Sequence, residues 1–130
     1  MKKGIPGMDG KAYRKLAAWQ KSMELVDEIY RVVRELPTDE RFGLCSQLTR
    51  AAVSVPSNIA EGYGREHRGD YVRHLSFARG SLMEIETQLI ICARNHLERQ
   101  QLLPAWHLAQ ETGKLLTTMI RSLSKDRMTD

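Results

Sequence analysis

Residues 71–96 read YVRHLSFARGSLMEIETQLIICARNH, and their apolar positions recur at alternating steps of four and three. This spacing keeps one stripe of side chains on a single helix face, and it predicts an α-helix of about 28 residues, roughly 42 Å long. The stripe consists of Tyr71, Leu75, Ala78, Leu82, Ile85, Leu89, Cys92 and His96. Asp70 stands where an N-cap is expected. His96 is predicted to lie in the core or at an interface.

Three other segments repeat this apolar spacing. The first ends before Pro37, because the residue that precedes a proline is pushed out of the α region. The second begins at residues 38–40, Thr-Asp-Glu, whose polar and acidic groups suit a helix N-terminus. It contains Pro56, which removes a backbone donor and predicts a kink. The last segment covers residues 102–123.

Four amphipathic helices with short connections predict an all-α fold, an antiparallel up-down-up-down four-helix bundle in which helix 2 is kinked near Pro56. No stretch alternates apolar and polar residues with period two, so strands are not expected. The bundle is predicted over residues 13–124. A flexible N-terminal arm is predicted at residues 1–12 and a frayed tail at residues 125–130.

The composition limits the class of protein. The chain has 130 residues, of which 42% are hydrophobic and 28% charged, and this balance excludes disordered, collagen-like and transmembrane classes. No apolar run follows the N-terminal lysines, so no signal peptide is expected. Neither Cys45 nor Cys92 belongs to a C-x-x-C motif. Both are predicted to be small buried hydrophobes in a reducing cytoplasm, and a disulfide between them stays open as an alternative.

A polar stripe accompanies the apolar one on the second helix, and a matching set lies on the third. These residues are Gln47, Arg50, Ser54, Asn58 and Glu61 on the second helix and Ser81, Glu84 and Gln88 on the third. Two interpretations stay open for these residues, a solvated face and a buried or interfacial hydrogen-bond network. The network is considered because Ser, Asn and Gln are weak choices for an exposed helix interior. In a network, Arg50 is expected to pair with Glu84 or Glu86. Ser54 is expected to serve the backbone group that Pro56 disturbs. Small residues that predict a close approach of these helices are Ala51, Ala52, Gly80 and Ser81.

The sequence contains none of the motifs that we tested for catalysis or cofactor binding. Glu-x-x-His pairs, an H-E-x-x-H zinc motif, a G-x-G-x-x-G fingerprint and a phosphate-binding P-loop are all missing. No nucleophile and base stand at a recognisable motif spacing. We therefore expect no catalytic residues, no cofactor, no metal and no enzymatic activity.

Basic residues make two candidate surfaces for nucleic acid. The net charge is +4, from 20 basic and 16 acidic residues, and this mild excess permits an anionic partner. Both surfaces combine cations with aromatic side chains, which suit phosphate contacts and base stacking. The predicted contacts are Lys11, Arg14, Lys15 and Lys21 at the arm and first helix, and Arg65, Arg68 and Arg73 at the second connection. A solvated surface of mixed charge is the alternative, because Glu66 and Asp70 weaken the second surface.

The run QLTRAAVSVPSNIAEG at residues 47–62, with WQK at 19–21, FGL at 42–44 and GSLME at 80–84, is distinctive. Together these segments resemble the four-helix bundle family of 23S rRNA intervening-sequence proteins, from about Tyr13 to Ser124. The resemblance implies assembly as a homopentamer. It also implies similarity to the accessory variability determinants of diversity-generating retroelements, which bind nucleic acid and a reverse transcriptase. The polar stripes match the family's signature helices, and the family offers no catalytic residues to carry over.

We therefore expect a non-enzymatic, homo-oligomeric four-helix bundle, pentameric by resemblance, that binds structured RNA or DNA through basic surfaces. The alternative is a protein–protein interaction scaffold or accessory subunit with no direct role on nucleic acid. A cytoplasmic location and no membrane partner are expected in both cases.

Overall fold

The computed structural model describes residues 4–6 and 12–129, with side chains as far as Lys125. It contains four α-helices, which we number in chain order: α1 (Ala17–Glu35), α2 (Leu44–Tyr63), α3 (Arg68–Asn95) and α4 (Arg99–Thr129). Short 3-10 turns precede α1 and α2. The all-α fold with four helices is confirmed, and the described part of the chain holds no strand.

Each helix packs against two neighbours in the cyclic order α1, α2, α3, α4. Within the described ranges, the diagonal pairs α1–α3 and α2–α4 do not pack against each other. On α2 and α3, Gln47 bonds to Gln88 and Ser54 to Ser81, so residue numbers rise along one helix as they fall along the other. Paired side chains of neighbours in an antiparallel bundle follow this order.

The core is formed by the apolar stripes that the sequence predicts. The largest fully buried apolar side chains are Leu25, Ile29, Leu48, Ile59, Leu75, Ile85, Leu89 and Leu116. Each contributes about 1.5–3 kcal/mol through burial of apolar surface. On α3 the predicted stripe is buried from Leu75 to Cys92, whereas Tyr71 is half-buried. The prediction that His96 lies in the core is wrong, because this residue lies just past the end of α3 at the surface, and its place at an interface stays a prediction.

Two helix starts differ from the sequence prediction. Residues 38–40 form a separate 3-10 turn, and α2 begins only at Leu44. The Glu40 side chain caps α2, since its Oε1 accepts a hydrogen bond from the Leu44 N–H at 3.2 Å. Helix α3 begins at Arg68, so Asp70 lies in its first turn, where it pairs with Arg73 and does not form the N-cap. The end of α1 at Glu35, before the extended Leu36 and Pro37, is as predicted.

Pro56 is buried within α2, and helix continues on both sides of it. The kink near Pro56 stays a prediction. The Ser54 hydroxyl pairs with Ser81, so the prediction that it serves the backbone disturbed by Pro56 is replaced by a contact between helices. Gly80 is exposed, and a Cβ atom added there would meet nothing within 4 Å, so close packing within one chain does not explain this glycine.

The ends of the chain were predicted to be a flexible arm and a frayed tail. Most of residues 1–12, including Lys11, lies outside the described residues. At the other end, α4 continues as far as Thr129, so its backbone shows no boundary at residue 125. Fraying of the tail stays a prediction.

Glu40 joins the start of α2 to the end of α3, and this link predicts a pH dependence of stability. Its Oε2 lies 2.8 Å from His96 Nε2. The hydrogen bonds from His96 and from the Leu44 N–H hold the pKa of the Glu40 carboxyl below its ordinary value of 4.5. Because the folded-state pKa is lowered, the stabilisation is present above pH 4.5 and is lost as the pH falls through the folded value.

Glu40→Gln is therefore expected to melt below the wild type at neutral pH, with a gap that narrows as the pH falls below 4.5. Thermal unfolding followed by circular dichroism between pH 3 and pH 7 measures this gap. Asp39→Asn is the matched control, because Asp39 is an exposed acid in the same turn with no ion pair among the described residues. A gap that stays constant over the whole pH range would contradict the assignment.

Candidate assembly and nucleic-acid surfaces

The polar stripes of α2 and α3 face each other, and part of them is joined by hydrogen bonds within the chain. Ser54 Oγ pairs with Ser81 Oγ, and Asn58 Nδ2 donates to the Ser54 carbonyl at 2.9 Å. The buried His74 lies 3.1 Å through Nδ1 from Asn58 Oδ1. Its Nε2 is 3.8 Å from Glu61 Oε1. This part of the stripes, nearest the connection between α2 and α3, is a hydrogen-bond network that fixes the two helices against each other.

His74 is a member of this network that the sequence analysis did not identify. The signal that could have located it is its position next to Leu75, which puts its ring at the edge of the buried stripe of α3. Both ring nitrogens face α2, and neither bonds to the Ser54–Ser81 pair. No base is therefore placed on a hydroxyl nucleophile in this network.

The part of the stripes farther from this connection borders an open cleft of about 390 Å³ between α2 and α3. Its lining residues are Gln47, Arg50, Ala51, Ser54, Ser81, Glu84 and Gln88. Gln88 is 7% exposed, and its Nε2 is 3.5 Å from Gln47 Oε1. The buried Gln88 Oε1 has no hydrogen-bond partner among the described residues. The structure therefore brings together six of the eight predicted polar residues around one cleft.

The predicted ion pair of Arg50 is not formed. Arg50 and Glu84 are both exposed, and neither makes an ion pair or hydrogen bond within the part of the chain that the structure describes. Glu86 lies on another side of α3, where its Oε2 accepts a hydrogen bond of 2.6 Å from Gln110 of α4. The prediction that Arg50 pairs with Glu84 or Glu86 is thus wrong for a single chain.

Apolar side chains on the same two helices are also exposed. Phe77 is 53% exposed and Met83 60%, and Val53 and Ile91 are each close to 40%. Met83 and Ile91 line a shallow depression that continues from the cleft along α3, together with Gln47, Glu84 and Gln88. The surface therefore mixes unpaired charges with large apolar groups.

The two basic surfaces predicted from the sequence meet at one end of the bundle. Tyr13, in the turn before α1, makes edge contacts with Trp19 and with Tyr63, at centroid distances of 5.5 and 6.5 Å. Tyr63 in turn contacts Tyr71 at 6.1 Å. This chain of four rings, which we call the aromatic end, joins the start of α1 to the connection between α2 and α3.

Several predicted basic contacts are engaged with carboxylates. Lys21 lies 3.1 Å from Glu111, and that hydrogen bond raises the pKa of Lys21 above its ordinary value. Arg65 pairs with Glu61 at 2.7 Å, and Arg73 pairs with Asp70 at 3.3 Å.

The other predicted contacts lie around the aromatic end. Arg14 lies over the Tyr13 ring, 5.7 Å from its centroid, and Lys15 and Arg68 are exposed. Lys11 is outside the described residues.

Other groups of functional interest give negative findings. Cys45 and Cys92 are free thiols, and burial raises the pKa of Cys92 to about 11. Among the described residues, no three His, Cys, Asp or Glu side chains are grouped to hold a metal ion. None of the helices there combines the length and the hydropathy needed to cross a bilayer.

The four packed helices and the polar cleft between α2 and α3 place this protein in the class of small all-α bundles. The model of the 23S rRNA-intervening sequence protein family matches residues 14–118. The chain belongs to this family.

A solved structure supports the same fold. It is a protein of unknown function from the S23 ribosomal protein family of Bacteroides thetaiotaomicron, 25% identical in sequence, with a TM-score of 0.74. The match covers 80% of this chain and 98% of the other. No curated protein matches the chain significantly.

Proposed function

We propose that this chain is a non-enzymatic, homo-oligomeric four-helix bundle that binds structured RNA or DNA through its aromatic end. Five copies is the number that the family resemblance implies. A cytoplasmic location belongs to the same proposal and is supported by two unpaired thiols. The observation that carries the proposal is the meeting of two basic segments, distant in sequence, around one row of aromatic rings.

Physical chemistry favours nucleic acid at this end. Lys15 and Arg68 are exposed cations that suit phosphate oxygens, and Tyr63 is 44% exposed beside them, so part of its ring is open to a base. The ion pairs of Arg65 and Arg73 reduce the local positive charge. Repetition of this surface by assembly would multiply a modest patch into a continuous basic track.

A titration with a labelled, structured RNA at several salt concentrations tests the proposal. The logarithm of the affinity is expected to fall linearly with the logarithm of the salt concentration, as counterions are released from phosphates. The double variant Lys15→Glu, Arg68→Glu is expected to bind more weakly, with the salt slope reduced by about 2, roughly 1 for each cation removed. Arg94→Glu with Arg99→Glu is the matched control, because both cations lie at the opposite end of the bundle. Absence of binding at low salt would contradict the proposal.

The α2–α3 cleft favours a second candidate function, a scaffold whose partner is another protein. The unpaired Arg50 and Glu84 and the exposed Phe77 and Met83 form a surface of mixed chemistry that suits a protein more than a polyanion. The protein-binding scaffold becomes the preferred function if no nucleic acid binds. A catalytic role is not proposed, because the ring nitrogens of His74 face Asn58 and Glu61, and neither is hydrogen-bonded to a hydroxyl or thiol group among the described residues.

A further inference from the structure

A second groove, which we call the α3–α4 groove, lies on the other side of α3 from the cleft. Its volume is about 400 Å³, within the range of sites for small molecules, and it includes no residue of the aromatic end. Two contacts across it fix the level of the helices. Gln110 Nε2 donates to Glu86 Oε2 at 2.6 Å, and Gly113 lies against Leu82. Residue numbers therefore run in opposite directions along its two walls.

The groove has opposite charges at its two ends. Arg79 lies one turn before Leu82, so it stands on the α3 wall at the level of Thr117 on the α4 wall. Lys114 lines the same groove one turn from Thr117. Arg79 is half-exposed and Lys114 is exposed, and neither makes an ion pair within the part of the chain that the structure describes. Glu86 lies two turns from Arg79, roughly 10 Å along α3.

The Thr117 hydroxyl is turned away from the usual partner of a helical threonine. Four other threonine hydroxyls in the helices each donate to the carbonyl four residues earlier: those of Thr49, Thr87, Thr112 and Thr118. Half-buried Thr117 makes no hydrogen bond among the described residues, although it lines the groove. Its hydroxyl is therefore available to a ligand beside the two cations.

Gly113 keeps the floor of the groove open. Glycine inside a helix is destabilising relative to alanine, and an added Cβ would meet only Leu82 Cδ1, at 3.8 Å. Packing within the chain therefore does not require a glycine here. A close approach of another molecule to the backbone is a reason to keep one, since a methyl group would fill the space between the two walls.

We propose that the α3–α4 groove binds a small sugar phosphate. Arg79 and Lys114 bind the phosphate oxygens, and the Thr117 hydroxyl donates to the same group. A bare anion would be repelled by Glu86, whereas sugar hydroxyls donate to its Oε1, which has no partner among the described residues. The two polar ends of the groove thus select a ligand with an anion at one end and donors at the other. The inference goes beyond the proposed function and does not depend on it.

Titration of the full chain with ribose 5-phosphate at low salt, followed by the amide resonances in nuclear magnetic resonance, tests this proposal. We expect the Gly113 amide to shift, and we expect binding about tenfold tighter than that of inorganic phosphate or of ribose alone. Arg79→Gln is expected to weaken binding about tenfold, the effect of losing one charge-assisted contact. Arg94→Gln is the matched control, since it removes an exposed cation from the far end of α3.

Gly113→Ala separates binding from stability, because it should bind ribose 5-phosphate more weakly although its fold loses no stability. Gly80→Ala is its control, as an added Cβ there meets nothing within 4 Å and Gly80 does not line the groove. Circular dichroism verifies that each variant is folded. Unchanged affinity in both Arg79→Gln and Gly113→Ala would overturn the proposal.

A comparison of ligands decides what kind of phosphate the groove takes. If ribose 5-phosphate binds no tighter than inorganic phosphate, the groove holds an adventitious ion only and the proposal is wrong. A six-nucleotide single-stranded RNA added to the ribose 5-phosphate complex distinguishes two sources of the same chemistry. Displacement at Gly113 assigns the groove to a ribose phosphate of RNA, and no displacement assigns it to a free sugar phosphate; both results support the proposed contacts. Loss of RNA binding at the aromatic end alone leaves this result unchanged.

Discussion

Replacement of Gly62 by alanine is expected to destabilise the bundle by about 1–3 kcal/mol, the cost of overpacking a tight core site. An added Cβ would lie 2.8 Å from the Cβ of His74 and 3.0 Å from Cδ1 of Tyr71. Helix propensity favours alanine over glycine by only about 1 kcal/mol. The clash is expected to win because two of the three nearest atoms cannot easily withdraw, one being a Cβ and another the Tyr71 carbonyl oxygen at 3.3 Å.

Gly113→Ala is the matched control for this prediction. Gly113 also lies inside a helix, but an added Cβ would meet only Leu82 Cδ1, at an ordinary 3.8 Å. We expect a gain of about 0.5–1 kcal/mol there, since the change lowers the conformational entropy of the unfolded chain. In thermal unfolding, Gly62→Ala should melt roughly 3–12 °C below the wild type and Gly113→Ala slightly above it. A Gly62→Ala variant as stable as the wild type would show that α2 and α3 separate at no cost.

The helices and their buried faces could be predicted from the sequence because helical spacing is a local property. The steps of four and three from Leu75 to Cys92 determine which face of α3 is buried, whatever the neighbouring helices are. Helix starts were less accurate, since they depend on alternatives of similar energy. Glu40 could serve as a first-turn residue or, as observed, accept a hydrogen bond from Leu44 as a cap.

The polar residues of the candidate site were predicted as a set, and their partners were not. Periodicity placed Arg50 and Glu84 on facing stripes, but it could not show that they lie on opposite walls of an open cleft. Whether a hydrogen bond forms depends on the rotation and separation of two helices, which local spacing does not determine. The contact of Tyr13 with Tyr63 could not be predicted from the sequence either, because it forms only where the turn before α1 packs against α2.

The Asn58–His74 contact is expected to be the strongest coupling between α2 and α3 outside the apolar core. His74→Leu keeps a side chain of similar bulk but leaves Asn58 Oδ1, half-buried and 3.1 Å from the lost ring nitrogen, without its donor. An unsatisfied buried group costs about 1–3 kcal/mol. Asn58→Leu is expected to cost a similar amount, because it leaves the Nδ1 of the buried His74 without an acceptor.

The double variant Asn58→Leu, His74→Leu is expected to be much less destabilised than the sum of the two single variants, since it removes both members of the hydrogen bond and leaves no orphan group. Urea unfolding of the four proteins gives the coupling free energy, which we expect to be about 1–2 kcal/mol in this double-mutant cycle. Thr87→Val on the exposed side of α3 is a suitable control, because its hydroxyl bonds only within its own helix. Strictly additive costs would mean that the two side chains do not act together, and the network would then contribute only through the packing of its separate members.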